Sequence, residues 1–173
     1  MKRIMYALAC LVMPFMFFSC EELEGLVGEM DLTINDETIH IPDAVFTELE
    51  GFTTIAGSNL KENVAIVFKG DSKGSYTLGL GKDLLSAAAN VSNITNMENT
   101  LVYVPSSGIE EDGLTLVCGT LEITSYTKNK VKGTFSGYGL KTSILSEGEL
   151  NFSSLQNNFE KVSGSFEAVG KKM

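Results

Sequence analysis

The sequence predicts an all-β fold, a single antiparallel β-sandwich with one short helix; an open or closed β-barrel is the alternative that the same pattern allows. Three observations predict it. From Met30 onward, apolar residues recur with a period of two, the repeat of a strand with one buried face. All 17 glycines lie after residue 19, about 11% of the remaining chain against a usual ~7%, a composition suited to strands and tight turns. Only residues 82–90 have the look of a helix.

The chain opens on Met1, the basic pair Lys2 and Arg3, and an apolar run of 15 residues, 4–18, that ends at Ser19-Cys20. Charge, length and cut site are those of a signal peptide. The run is shorter than the roughly 20 residues a permanent spanning helix needs, and Glu21 and Glu22 follow it instead of basic stop-transfer residues. The cysteine at the cut distinguishes this peptide from an ordinary secretory signal, because its thiol can carry a diacylglycerol and leave an acylated N-terminus. Cys20 is the expected lipid attachment site. Ser19 supplies the small residue of a lipobox, although Phe17 and Phe18 replace the commoner aliphatic and small residues. A plain secretory cut with Cys20 an ordinary thiol is the alternative. The expected organisation is a removed signal peptide at 1–19, a lipidated acidic tether at 20–29 and an antiparallel β domain at 30–173.

Removing 19 of 173 residues leaves 154, enough for one domain with its own core. Lys2 and Arg3 leave with no acid, so the net charge moves from −9 to −11. That excludes a nucleic-acid binder, which needs a basic face, and a domain lying electrostatically on anionic lipid. Cys10 is removed and Cys20 becomes a thioether, so Cys118 has no internal partner and a disulfide-stapled fold is excluded. Without lipidation, a Cys20–Cys118 bridge becomes open.

The strands follow in order. Met30, Leu32 and Ile34 alternate, and after the polar Asn35-Asp36-Glu37 turn the pattern resumes at Ile39 and Ile41, giving an opening hairpin. Residues 44–49, 53–56 and 63–68 are further strands. The last is followed by Lys69-Gly70-Asp71-Ser72-Lys73-Gly74 and a strand at 75–80, which reads as a second hairpin. In the helix at 82–90, Leu84, Leu85, Ala87, Ala88 and Ala89 are good helix formers. A strand at 100–104 stops at Pro105, which cannot donate to a ladder, and 106–113 is a polar loop.

The C-terminal third alternates most clearly. Leu121 and Ile123 oppose Thr120, Glu122 and Thr124; after the turn at 127–130, Val131, Gly133 and Phe135 oppose Lys132, Thr134 and Ser136. The alternation recurs at Leu150 and Phe152, and at Val162, Gly164 and Phe166. One apolar and one solvated face means antiparallel sheet. Leu114, Leu116 and Cys118 share one parity whereas Leu121 and Ile123 have the other, so a β-bulge or kink is expected near Gly119. Val131-Lys132-Gly133-Thr134-Phe135 is echoed by Val162-Ser163-Gly164-Ser165-Phe166, which predicts two similarly placed strands whose glycines let a neighbouring ring pack close.

The run Gly119-Thr120-Leu121-Glu122-Ile123-Thr124-Ser125-Tyr126 with Lys130-Val131-Lys132-Gly133-Thr134-Phe135-Ser136 resembles the closing hairpin of small uncharacterised Bacteroidota lipoproteins. Gly74-Ser75-Tyr76-Thr77-Leu78-Gly79 and Leu32-Thr33-Ile34-Asn35 fit as well. The resemblance implies an all-β domain behind a lipid anchor and transfers no functional residue. It further implies that the acids after the cysteine, Glu21, Glu22 and Glu24, act as a signal for export to the outer face of the outer membrane.

Catalytic chemistry finds little to work with. Hydrolysis usually needs a nucleophile with a positioned base, or paired carboxylates. The single histidine, His40, lies between Ile39 and Ile41 and is expected to point outward, as a surface residue. Cys118 sits in an apolar strand with no cation nearby in sequence, as a buried structural thiol does. Glu110-Glu111-Asp112 lacks the spacing of a calcium loop and reads as a solvated loop. Glu147 and Glu149 share a strand face, as surface pairs commonly do. No glycine loop cradles a phosphate. There is no tryptophan, and Tyr76, Tyr103, Tyr126 and Tyr138 are the aromatic contacts left for a ligand.

The expectation is therefore a non-catalytic envelope lipoprotein, held at the outer membrane on its periplasmic or cell-surface face, with no cofactor and no metal, binding a glycan, peptide or partner protein. A calycin-like barrel carrying a small apolar ligand is the alternative. A hydrolase using surface carboxylates is the second alternative.

Overall fold

A computed structural model describes residues 28–90, 97–108, 113–146 and 158–170. The expected signal peptide and the expected tether up to residue 27, with Cys20, Glu21, Glu22 and Glu24, the acidic run 110–112, and Glu147, Glu149, Leu150 and Phe152 lie outside these residues, whereas Glu29, expected in the tether, begins the first strand.

The chain is all-β. Its strands are β1 (Glu29–Ile34), β2 (Glu37–Ile41), β3 (Asp43–Leu49), β4 (Phe52–Ser58), β5 (Glu62–Lys69), β6 (Gly74–Gly79), β7 (Thr100–Pro105), β8 (Leu114–Tyr126), β9 (Lys130–Lys141) and β10 (Glu160–Gly170). Among the described residues there are also two short helices, α1 (Leu84–Ala89) and α2 (Thr142–Ser146). Asp83 caps α1, its carboxylate accepting from the Ser86 amide at 2.8 Å. Helix α2 has no counterpart among the expected elements.

The sandwich expectation is corrected to the barrel alternative. Strands β3, β4, β5, β7, β8, β9 and β10 hydrogen-bond in that order and close on β3. Closure occurs at two corners: a parallel ladder pairs Val169 with Val45 and Gly170 with Phe46, and an antiparallel one pairs Val102 with Thr115 and Tyr103 with Leu114. Outside the ring, the β1–β2 hairpin continues the sheet from β10, and β6 continues it from β8. The three long strands make this work. One edge of β8 serves β7 first and β6 afterwards; one edge of β10 serves β1 and then β3. A strand that leaves one layer for the other turns a sandwich corner into a barrel seam.

Local chemistry explains most of the turns. Asn35 (φ 47°) and Asp36 (φ 72°) sit in the left-handed region, as a two-residue hairpin turn requires, and set Ile34 opposite Glu37. Glu50 and Gly51 do the same between β3 and β4. The second expected hairpin does not form. After the turn at 70–73, β6 leaves β5 and pairs with β8, and β7 takes the place beside β5. Asn99 bridges the divergence: its Oδ1 accepts from the Lys69 amide (2.9 Å), its Nδ2 donates to the Thr77 carbonyl (2.8 Å), and its own carbonyl accepts from Gly79 (2.8 Å).

The parity change in β8 is resolved by a register shift between Leu116 and Cys118, near Gly119 as expected. Val117 is the extra residue, so Leu114 and Leu116 before it and Leu121 and Ile123 after it all enter the core. The echoed motifs on β9 and β10 meet in reciprocal register. Gly133 lies opposite Phe166 and Gly164 opposite Phe135. A Cβ on either glycine would stand 2.8 Å from Phe166 Cζ or 2.4 Å from Phe135 Cζ. Each ring lies over the bare backbone of the other strand.

The barrel interior is filled by the alternating set, among which Met30, Leu32, Ile66, Phe68, Leu101 and Leu116 are inaccessible to solvent. The polar half of the alternation faces outward in rows, one of which runs Thr38, Thr33, Ser163, Ser136, Thr120 and Thr77 across six strands.

Candidate functional site

The barrel has two unlike ends. One carries the β3–β4, β5–β6 and β8–β9 turns, the exit of β10 and the entry to β1. The other carries the β1–β2 and β4–β5 turns, the ends of β7 and β9, and the starts of β8 and β10.

A recess of about 280 Å³ opens at this second end, lined by Ile34, Asn35, Glu37, Ile39, Tyr103, Leu114, Lys141 and Glu160. Its size is at the low end for small-molecule pockets. Ile34, Ile39, Leu114 and the Tyr103 ring give it apolar surface, while Asn35, Glu37, Lys141 and Glu160 give polar groups of both charge signs. The hairpin turn holds the geometry. Asn35 exchanges bonds with β10, its amide donating to the Lys161 carbonyl (3.0 Å) and its Oδ1 accepting from the Lys161 amide (2.9 Å). Its Nδ2 donates to Glu160, which fixes that carboxylate beside the turn. Tyr103 is buried, and its hydroxyl donates to Glu62 on β5.

His40 points outward as expected, and the structure adds a partner. Asp31 lies directly across the β1–β2 ladder, with Nδ1 and Oδ1 2.8 Å apart. Sequence reasoning missed this pair, although the signal existed: with Asn35-Asp36 as a two-residue turn, residue 31 must face residue 40. The pair lies on the exposed outer face, and the neighbouring hydroxyls of Thr33 and Thr38 bond each other at 2.9 Å. Asp31 thus orients the His40 ring on the outer face.

Cys118 is buried and unpaired, and burial pushes its thiol up to about 11, the opposite of nucleophile activation. Three of the four tyrosines are committed to structure. Tyr76 packs at a tilt against Phe68 with ring centroids 4.6 Å apart, and its hydroxyl donates to the Ser72 carbonyl. Tyr103 lies in the core, and Tyr126 packs edge-on against Phe46 and shares a 2.8 Å bond with Thr53. Only Tyr138 is exposed, over Phe159. Among the described residues no group of three or more His, Cys, Asp or Glu could hold a metal ion, and no helix is long and apolar enough to cross a membrane.

The recess itself was not legible in sequence, because its eight residues come from six strands and a turn and belong to no motif. The chain matches no protein-family model, no curated protein and no solved structure.

Proposed function

We propose that this protein is a lipid-anchored lipoprotein of the cell envelope, of the Bacteroidota kind its sequence resembles. In this reading the barrel binds, without catalysis, a small ligand or the end of a glycan or peptide. One observation carries it: the chain enters β1 at the end of the barrel opposite the recess. A lipid on Cys20 then leaves the recess facing away from the membrane, open to what approaches from solution. The mixed lining supports binding, with apolar surface for contact and Lys141, Glu37 and Glu160 for orientation. A carrier of an apolar ligand would need interior room, and Met30, Ile66, Phe68 and Leu101 are among the wholly buried side chains that fill the core.

The anchor is tested by mass spectrometry of the N-terminal peptide from native membranes, together with Cys20→Ala. An acylated Cys20 is expected, and the variant should move from the membrane pellet to the supernatant. Binding is tested by probing arrays of oligosaccharides and short peptides with the protein, then repeating with Glu37→Gln and Lys141→Ala. Loss of the strongest signals supports the recess; unchanged retention in both variants removes it from the reading. The hydrolase alternative has one observation in its favour, the placing of Glu37 and Glu160 on one recess. If a retained array ligand is cleaved by the native protein and left intact by Glu160→Gln, hydrolysis replaces binding.

A further inference from the structure

The end of the barrel from which the tether leaves carries an apolar tip that the fold does not use. We infer that Leu49 and Phe52, flanking the Glu50-Gly51 turn between β3 and β4, insert into the interfacial layer of the bilayer that holds the lipid anchor. This rests on the anchor proposed above and on three observations independent of it.

The first is placement. The Gly28 carbonyl accepts from the Ala44 amide at 3.1 Å, so the chain enters the domain beside the start of β3. From there β3 runs parallel to the end of β10 and continues past Gly170, the last residue of that ladder, to Leu49. The tip therefore projects from the tether end. Five residues from Ala44 to Leu49 carry it about 17 Å beyond the entry point at ~3.3 Å per residue. Seven residues separate Cys20 from Gly28, and the eight Cα steps between them reach at most ~28 Å when fully extended. A tip standing about 17 Å ahead of the entry point lies well inside that leash.

The second is exposure. Leu49 and Phe52 pair across the ladder, yet are 68% and 39% exposed. Scattered single exposed apolar residues are ordinary, and Leu60 at the opposite end is one. A cross-strand leucine and phenylalanine on the two sides of one turn are an adjoining pair, and an aromatic beside an aliphatic at a projecting tip suits the bilayer interface.

The third is charge. Lys69 faces Phe52 in register, Lys73 and Lys128 lie on the two adjacent turns, and Glu48, Glu50 and Asp71 balance them. A locally neutral tip on an acidic domain fits a zwitterionic surface and owes its binding to apolar contact, so salt should leave it unchanged.

The chain has no tryptophan, so one introduced residue is an unambiguous reporter. The full chain, carried through export and purified from membranes, is reconstituted in phosphatidylcholine vesicles with bromine near the head or the tail of the acyl chain. Phe52→Trp and, separately, Leu49→Trp should give blue-shifted emission, quenched more by the shallow bromines and unchanged by added salt. Leu60→Trp should stay unquenched. Mass spectrometry of the Cys20 peptide is read on the same samples. An acylated Cys20 with both tip reporters behaving like Leu60→Trp overturns the insertion and spares the anchor. An unmodified Cys20 overturns both. A blue shift already present in detergent that grows with protein concentration assigns the tip to a second copy and likewise overturns the proposal.

Discussion

Gly164→Ala tests the reciprocal packing of β9 and β10 at its tightest point. A Cβ built there stands 2.1 Å from the Asp31 carbonyl oxygen on β1 and 2.4 Å from Phe135 Cζ. Both contacts are far inside van der Waals range, and the carbonyl belongs to a paired strand that cannot withdraw without breaking its ladder. Overpacking a core by one methyl costs about 1–3 kcal/mol, set against the ~0.4–1 kcal/mol that replacing glycine gains through the unfolded chain. With backbone as one colliding partner, a net loss of about 2 kcal/mol is expected, which for a domain of this size lowers Tm by roughly 4–8 °C. At Gly133 the corresponding distances are 2.5 Å to the Glu122 oxygen and 2.8 Å to Phe166 Cζ, so Gly133→Ala should cost less, about 1 kcal/mol. Urea unfolding followed by far-ultraviolet circular dichroism measures both. Pairing Gly164→Ala with Phe135→Leu removes one of the two collisions, so the double variant should lose about 0.5–2 kcal/mol less than the sum of the single losses. A Gly164→Ala protein as stable as the parent, or strict additivity in the cycle, would mean that the ring of Phe135 does not press on the bare backbone of Gly164.

Asn99→Ala removes the two side-chain bonds that tie β5 to β6 and should lower stability by about 1–3 kcal/mol with an unchanged denaturant slope; an unaltered midpoint would mean that the corner holds without it. Acylation of Cys20 leaves one thiol in the mature chain, so a disulfide reagent should titrate one group after unfolding and react slowly with the native protein; two thiols would contradict the anchor. Because burial raises the Cys118 thiol from 9.0 to about 11, the stability it contributes is full below pH 9 and is lost as pH rises toward 11. Cys118→Ala should flatten that alkaline limb in unfolding curves taken across this range. Glu167 is held below its ordinary value by Lys130 and then Lys132, so its contribution is present above about pH 4.5 and disappears as pH falls through the lower folded value. Glu167→Gln should make acid unfolding less steep, and an identical acid limb would show that the two lysines do not act on it.

What the sequence disclosed follows the range of the interactions involved. Alternation is local, so the strands and the core parity of Met30, Leu32, Leu121 and Phe135 were readable, and so was the need for an irregularity in β8. The irregularity lies near Gly119 as expected, but the inserted residue is Val117 and not the glycine, because glycine permits a bulge without being required for one and Val117 takes it without positive φ. The β5–β6 hairpin failed for the opposite reason. Turn residues at 70–74 favour reversal, but a longer strand, β8, offers β6 six register partners. Barrel closure was invisible because each corner is sealed by only two residue pairs, and those residues alternate as they would in a sandwich. The recess was hidden because register, and not composition, brings Glu37, Lys141 and Glu160 together.

Closure also decides how the two ends can act. In an open sandwich the layers can slide, and a ligand at one end could be felt at the other. Here β8, β9 and β10 are 13, 12 and 11 residues long and run through both ends of a filled barrel, so movement at the recess must displace packed side chains along its length. The Gly133–Phe166 and Gly164–Phe135 contacts lock β9 to β10 between the two ends. A rigid body of this kind passes on orientation and not shape change: the orientation that a lipid tether and an inserted Leu49–Phe52 tip would set at one end, the recess would inherit at the other. A longer tether should therefore free the orientation of the recess while leaving its intrinsic affinity for a soluble ligand unchanged. If affinity moved with tether length in detergent, where no surface orients the domain, the two ends would be coupled through the barrel and its rigidity would be disproved.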